Sequence, residues 1–391
     1  MGGAERVLYE QSVGLAQRKH NIHILTRKLS NHDHYNEIIK GVKEWRYDYR
    51  HDNPAVFIKT TWLNTKRLFE NLYQKYRFDC INFHQPFSTL GVNHSKISAG
   101  VPKIYTCHSL SFEEFISRNT KRADILNKIL NYFQIIVRKK IEKIGLNKSD
   151  KIVTLSKFTK IKLIDIYGIP EAKIHVIPGG IDLERFHPDY DKTEIRAKLN
   201  IPENRIVLFT VRNLVQRMGL ENLIKAFFYT LKTESADIHL VIGGNGPLKN
   251  ELVALVRSLR IEQKVYFTGF IPEDQLPMYY QMADIFVLPS KELEGFGLVT
   301  LEAMACGLPV IGTPVGGTKE ILENFDSSFL FHGTDSNSIA ELILKNYRLI
   351  KHNPQRWKEI SKRCRSFVEL NYSWEKNLDT LEELFKKTLQ N

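Results

Sequence analysis

The stretch Leu288–Ile321, LPSKELEGFGLVTLEAMACGLPVIGTPVGGTKEI, decides how the rest of this chain is read. Apolar Ile285 to Leu288 form a short strand that runs into Pro289 and Ser290. A charged loop follows, then Gly295-Phe296-Gly297, then a helix-forming run from Leu298 to Cys306. Such a strand, glycine-bearing loop and helix start suit an anion, because the first amides of a helix lack internal partners and the helix dipole is positive there. Gly295 and Gly297 let backbone amides approach a ligand closely. Glu294 and Glu302 bracket the turn, and one carboxylate accepts from two neighbouring hydroxyls, as a ribose or a hexose presents them. Phosphate contacts beside sugar contacts describe a sugar nucleotide. Either glutamate alone would be an ordinary first-turn or solvated helix residue.

Glu294-Gly-Phe-Gly-Leu-Val-Thr-Leu-Glu302 resembles the E-x7-E motif of the family 4 glycosyltransferases, and Ala303-Met304-Ala305-Cys306-Gly307 and Gly316-Gly317-x-x-Glu320 resemble that family's continuation. The resemblance runs through most of the chain. It implies an α/β fold of the GT-B type, two Rossmann-like domains facing each other across a cleft. The implied activity is transfer of a hexose-type sugar, with retained anomeric configuration, from a nucleoside diphosphate sugar to an acceptor hydroxyl on a glycan or a lipid-linked sugar, as in polysaccharide biosynthesis. Glu302 then holds the ribose diol, Glu294 holds hydroxyls of the sugar, and Gly295, Phe296, Gly297 and Leu298 line the diphosphate.

A length of 391 residues allows two or three domains with packed cores. No apolar run approaches the length of a bilayer span, and the start, MGGAERVLYE, lacks the basic and apolar regions of a signal peptide. Cys80, Cys107, Cys306 and Cys364 are scattered without metal or redox spacing; they read as apolar filler in a reducing cytoplasm. Charge is uneven: residues 1–190 hold 31 Lys+Arg against 19 Asp+Glu, and the remainder 25 against 25. A basic first half predicts an anionic partner, a membrane surface, a lipid phosphate or a nucleic acid, and with the sugar-nucleotide motif the expectation is an anionic membrane surface and no nucleic acid.

Gly2-Gly3-Ala4-Glu5-Arg6 opens a helix reading to Arg18, and Asn21 to Thr26 is a strand. By resemblance Gly2 and Gly3 follow the first strand of the amino-terminal sheet and face the donor phosphates. No such strand precedes them, so Met1 reads as an internal methionine of a longer chain. Strands Phe78 to Phe83 and Val101 to Cys107 end in His84 and His108, at the edge where doubly wound sheets bind ligands. On its own a strand-end histidine is more often a structural hydrogen-bonder. His108 resembles the family histidine that contacts the transferred sugar. The run Lys121 to Leu146 repeats apolar residues at helical spacing (Ile125, Ile129, Tyr132, Phe133, Ile136, Ile144), with Gly145 as a C-terminal stop. It reads as a core-facing helix with a solvated basic side, and second as a peripheral membrane contact made through charge.

Pro178-Gly179-Gly180-Ile181-Asp182 resembles the family hinge and places the domains at 1–182 and 183–372, with a terminal helix at 373–391 returning to the first. Beyond the hinge, strand and helix alternate, which predicts a parallel sheet covered on both faces. Val211 to Gly219, VRNLVQRMG, resembles the family's phosphate clamp with its cations one place early, at Arg217 and Arg212. Arg217 binds a pyrophosphate bidentately where lysine acts as a point charge. Gly243-Gly244-Asn245-Gly246-Pro247 lacks the last glycine of a dinucleotide fingerprint; Gly244 and Gly246 resemble a loop near the nucleotide base. No D-x-D stands at a matching place, so neither a metal nor another cofactor is expected and leaving-group charge falls to side chains and amides. With the span 294–302 helical, the glutamates stand ~12 Å apart by helix rise, beyond the ~5 Å of a retaining carboxylate pair. A sugar-nucleotide 2-epimerase of the same fold and an inactive transferase-like membrane subunit are the alternatives.

Overall fold

The computed structural model describes residues 2–30, 32–119, 125–188, 191–234 and 237–390, and the chain divides into two compact units, Met1–Pro178 with Trp374–Asn391, and Gly179–Ser373. Both are α/β, and among the described residues every strand pair is parallel except one antiparallel pair, Asn36–Ile39 with Val42–Tyr47, in the first unit.

In the first unit, strands β1 (His23–Arg27), β2 (Asn36–Ile39) and β3 (Val42–Tyr47) form one sheet, with β3 central. A second sheet is all parallel and runs in sequence order: β4 (Ile81–Phe83), β5 (Lys103–Cys107), β6 (Lys151–Thr154) and β7 (Ile174–Val176). Neighbouring residues on a strand point to opposite faces, which sorts its core into two layers. Tyr105 and Ile152 pack with Phe69, Leu146, Leu163 and Tyr167, from helices on one face. Ile104 and Val153 pack with Leu15, Leu378, Leu381 and Leu384, from the helices Gly3–Gln17 and Trp374–Leu389 on the other. The terminal helix is tied in further by Gln11 Nε2 donating to Asn377 Oδ1 at 3.1 Å and by Arg18 against Asp379 and Glu382.

The helix expected from Lys121 occurs as Ile125–Lys148, but its orientation differs from the expectation. Ile129, Tyr132, Phe133 and Ile144 are 48, 63, 60 and 38% exposed, while Ile141, Glu142 and Leu146 turn inward. Of the other two expected residues, Ile136 is half-buried and Ile125 has a side chain outside the described set. Gly145 does not stop the helix. A Cβ there would stand 3.2 Å from the Tyr105 ring and 3.0 Å from Thr89 Cγ2, so glycine serves close helix–strand approach.

The second unit holds five parallel strands, β8 (Ile206–Val211), β9 (Ile238–Gly243), β10 (Val265–Gly269), β11 (Ile285–Leu288) and β12 (Val310–Gly312), in spatial order β10-β9-β8-β11-β12. β9, β11 and β12 are buried throughout, as apolar runs covered on both faces must be. The chain winds outward from β8 through β9 to β10, then restarts on the other side of β8 with β11 and β12. That reversal is a topological switch point, and ligands of such sheets bind outside the carboxyl ends of the strands there. The stretch after β11 and the loop after β8 meet at this place.

Candidate active site

Two loops build the site of the second unit. Arg212, one residue past β8, sends Nη2 to Glu294 Oε2 at 2.5 Å and to Ser290 Oγ at 3.1 Å, and Ser290 Oγ donates to the same Glu294 oxygen at 2.9 Å. Both side chains of the ion pair are 8% exposed. Arg212 also rests on Met218 Sδ through Nε at 3.2 Å, so the methionine next to Arg217 supports Arg212. Arg217 Nη1 donates to the Leu293 carbonyl at 3.1 Å, and Lys291 N donates to the Arg217 carbonyl at 2.8 Å. Both clamp arginines therefore reach the acidic loop.

Glycines permit this closeness. Gly316 has φ +65°, and a Cβ there would fall 1.9 Å from the Glu294 carbonyl oxygen; a Cβ on the next residue, Gly317, would fall 2.4 Å from the Phe296 backbone, and Gly317 donates its N–H to the Glu294 carbonyl at 2.8 Å. Gly244, at φ +112°, and Gly246 abut the backbone of Arg212 and Leu214 in the same way, which packs their loop against the clamp loop. Gly297 is the left-handed N-cap of the helix Leu298–Ala305 and has no side chain of its own to cap the first amides. Phe296 is buried and Gly295 precedes it in the loop. Glu302 lies on this helix, 4% exposed, and accepts from Tyr280 OH at 2.7 Å. Glu294 is in the loop, not the helix, so rise along one helix does not set the separation of the two glutamates.

In the first unit, His84 and His108 follow adjacent parallel strands and meet: His84 Nδ1 lies 2.9 Å from His108 Nε2, with the rings stacked at 5.2 Å. Burial lowers the His108 pKa to about 4; burial and the neighbouring ring hold His84 well below the usual range. The buried His108 Nδ1 has no partner among the described residues. Beyond His108 the chain is pinned by Glu142, which accepts from Ser111 N at 3.1 Å and from Tyr167 OH at 2.6 Å; burial pushes this carboxyl up to about 7 against both bonds. Gly2 caps the helix that Gly3 begins, its N–H donating to Glu5 Oε2 at 2.7 Å. All four cysteines are free; Cys107, Cys306 and Cys364 are buried.

Ser290, Tyr280 and Met218 had no signal of their own in the sequence. Gly316 and Gly317 did, as a pair following a strand, though their target lay twenty-odd residues away by roughly the length of one strand–helix unit.

The class these features define is the GT-B glycosyltransferase fold, and comparison with known proteins agrees. The profile described as Glycosyltransferase Family 4 matches residues 1–185, and that described as Glycosyl transferases group 1 matches residues 191–364. Mannosylfructose-phosphate synthase of Agrobacterium fabrum is 30% identical over 347 residues, covering 81% of this chain and 72% of its own. The chain belongs to glycosyltransferase family 4. A GDP-mannose-dependent alpha-(1-6)-phosphatidylinositol monomannoside mannosyltransferase of Mycolicibacterium smegmatis is 32% identical over 215 residues, 53% of this chain, and the match spans about half of that relative, 55%. Among solved structures, sucrose-phosphate synthase from Thermosynechococcus elongatus shares the fold at TM-score 0.80 and 23% identity, over 99% of this chain and 93% of its own.

Proposed function

We propose that this protein moves a hexosyl group from a nucleoside diphosphate sugar to an acceptor hydroxyl, on a glycan or a lipid-linked sugar, with retention and without a metal. One observation carries the reading: a buried arginine–glutamate pair stands at the switch point beside a helix whose N-cap is a glycine, with no side chain to cap the first amides. Leaving-group charge develops on the diphosphate, and pre-placed cations and amides stabilise it without reorganising. Arg217, Arg212 and the amides of Phe296 to Leu298 take that role. Arg212 also neutralises Glu294, so its carboxylate accepts sugar hydroxyls without repelling the diphosphate. Glu302, oriented by Tyr280, accepts from the ribose diol, and His108 contacts the transferred sugar. The Gly3 amide faces the donor, the Gly2 amide being taken by Glu5 Oε2, and Gly244 and Gly246 act through the loop they hold.

The test is a panel of UDP, GDP and ADP sugars, first by thermal shift, since a ligand at a hundred times its Kd adds ~2.7 kcal/mol. Release of nucleoside diphosphate, undiminished by a chelator, with an axial or equatorial product linkage matching the donor, is expected. An epimer without cleavage makes the protein a 2-epimerase; binding without turnover makes it an inactive subunit.

For the partner surface, a specific observation favours an anionic membrane, met from the cytoplasm. Among the described residues no helix is long and apolar enough to cross a membrane. The helix Ile125–Lys148 instead exposes Ile129, Leu130, Tyr132 and Phe133, and exposed Lys140 and Lys143 share the helix. Apolar side chains with flanking lysines suit the headgroup boundary. Flotation with phosphatidylserine vesicles should capture the wild type and lose the Y132S/F133S variant. Equal capture of both, or equal binding to neutral vesicles, rules this surface out.

A further inference from the structure

His108 enters the proposed reaction as the histidine that meets the transferred sugar, and the role inferred for its neighbour His84 rests on that reading. The two histidines belong to different strands. β4 and β5 pair in parallel with Phe83 opposite Tyr105, so the residues just beyond their ends are brought side by side, and Thr106 Oγ1 donates to Asn82 Oδ1 at 2.9 Å to fasten the same two strands. The rings lie 25° from coplanar with a nitrogen–nitrogen distance of 2.9 Å, a geometry that needs one proton between the two atoms.

We propose that His84 is a positioning residue for His108: by engaging Nε2 it holds the ring in one plane and one tautomer, leaving Nδ1 as the nitrogen that meets the sugar. Both rings stay neutral in this arrangement, because burial of the pair disfavours a charge on either ring. If His84 Nδ1 carries the shared proton, His108 carries its own on Nδ1 and donates to a sugar oxygen. If the shared proton is on His108 Nε2, its Nδ1 accepts from a sugar hydroxyl. Either way the choice is made by His84, since which ring nitrogen is protonated follows from the bond the other one makes. A buried, unpartnered nitrogen is costly to leave as it is. A ligand hydroxyl at His108 Nδ1 would remove that cost.

The discriminating experiment compares His84→Leu with His84→Asn, whose amide can reach the place of the imidazole Nδ1. His84→Leu should lower kcat for donor cleavage by about 10- to 100-fold, the usual effect of losing an orienting partner. KM for the donor and the nucleoside diphosphate Kd by calorimetry should stay put, and His84→Asn should recover most of the rate. Wild-type kcat in His84→Leu overturns the proposal. So does an equal loss in both variants with a lowered melting temperature, which would make His84 a packing residue only. His108→Leu separates the two readings: full activity there sinks the sugar contact of His108 itself. Ring-nitrogen NMR shifts report the pairing independently of turnover. His108 should show one tautomer in the wild type and a mixture in His84→Leu; an unchanged His108 signal overturns the assignment.

Discussion

Gly316→Ala isolates the geometry of the acidic loop from its chemistry. The new Cβ would lie 1.9 Å from the Glu294 carbonyl oxygen and 2.9 Å from Glu294 Cβ. Ordinary carbon–oxygen contact begins at about 3.3 Å, so the loop must recede by about 1.4 Å. Gly316 also sits at φ +65°, where alanine costs about 1–2 kcal/mol. Gly317 N–H is bonded to the same carbonyl, so the loop moves with its Arg212 and Ser290 contacts rather than flexing alone. A displacement of ~1 Å in a reacting geometry costs about 100-fold in rate. The expected result is a kcat/KM for donor cleavage lower by about two orders of magnitude in a protein that still unfolds cooperatively. Gly100→Ala is the control, because nothing lies within 4 Å of its Cβ position, and it should leave rate and melting temperature unchanged. Near wild-type turnover in Gly316→Ala, with the strain visible as lost stability, would refute the claim that loop position governs Glu294.

Three other substitutions report on separate parts of the molecule. Arg212→Met strands the buried Glu294 carboxylate and should cost about 3–5 kcal/mol of stability in urea unfolding; adding Glu294→Leu should restore stability but not donor binding, and restored binding would refute the pairing's role. Tyr280→Phe removes the donor to Glu302 and should weaken nucleoside diphosphate binding about 10-fold, ~1.4 kcal/mol, by calorimetry; unchanged affinity would detach Glu302 from the ribose. Glu142, with its pKa raised to about 7, binds its proton more tightly folded than unfolded, so its contribution to stability falls as pH rises from the ordinary glutamate range to about 7. The full change is about 3 kcal/mol, and Glu142→Gln should flatten this slope when unfolding is compared at acidic and alkaline pH; a variant with the same slope would place the effect elsewhere.

The turn around Glu294–Glu302 was legible because its parts are local: a buried strand, glycines where the chain must bend, and a helix start are properties of adjacent residues. The alternation beyond Asp182 was legible for the same reason, and the five parallel strands of the second unit follow it. Orientation was not. An apolar stripe at helical spacing says that one face of Ile125–Lys148 differs from the other; only packing of Gly145 on Tyr105 decides which face turns inward, leaving Tyr132 and Phe133 in solvent. Nor could the sequence pair Arg212 with Glu294, 82 residues on, or rank it beside Arg217. That pairing depends on β8 and β11 becoming neighbours at a reversal of strand order, and His84 meets His108 because β4 and β5 run in parallel. The chain's own chemistry pointed to a phosphate-and-sugar site in the second half; strand order, which no local pattern encodes, decided which side chains stand together there.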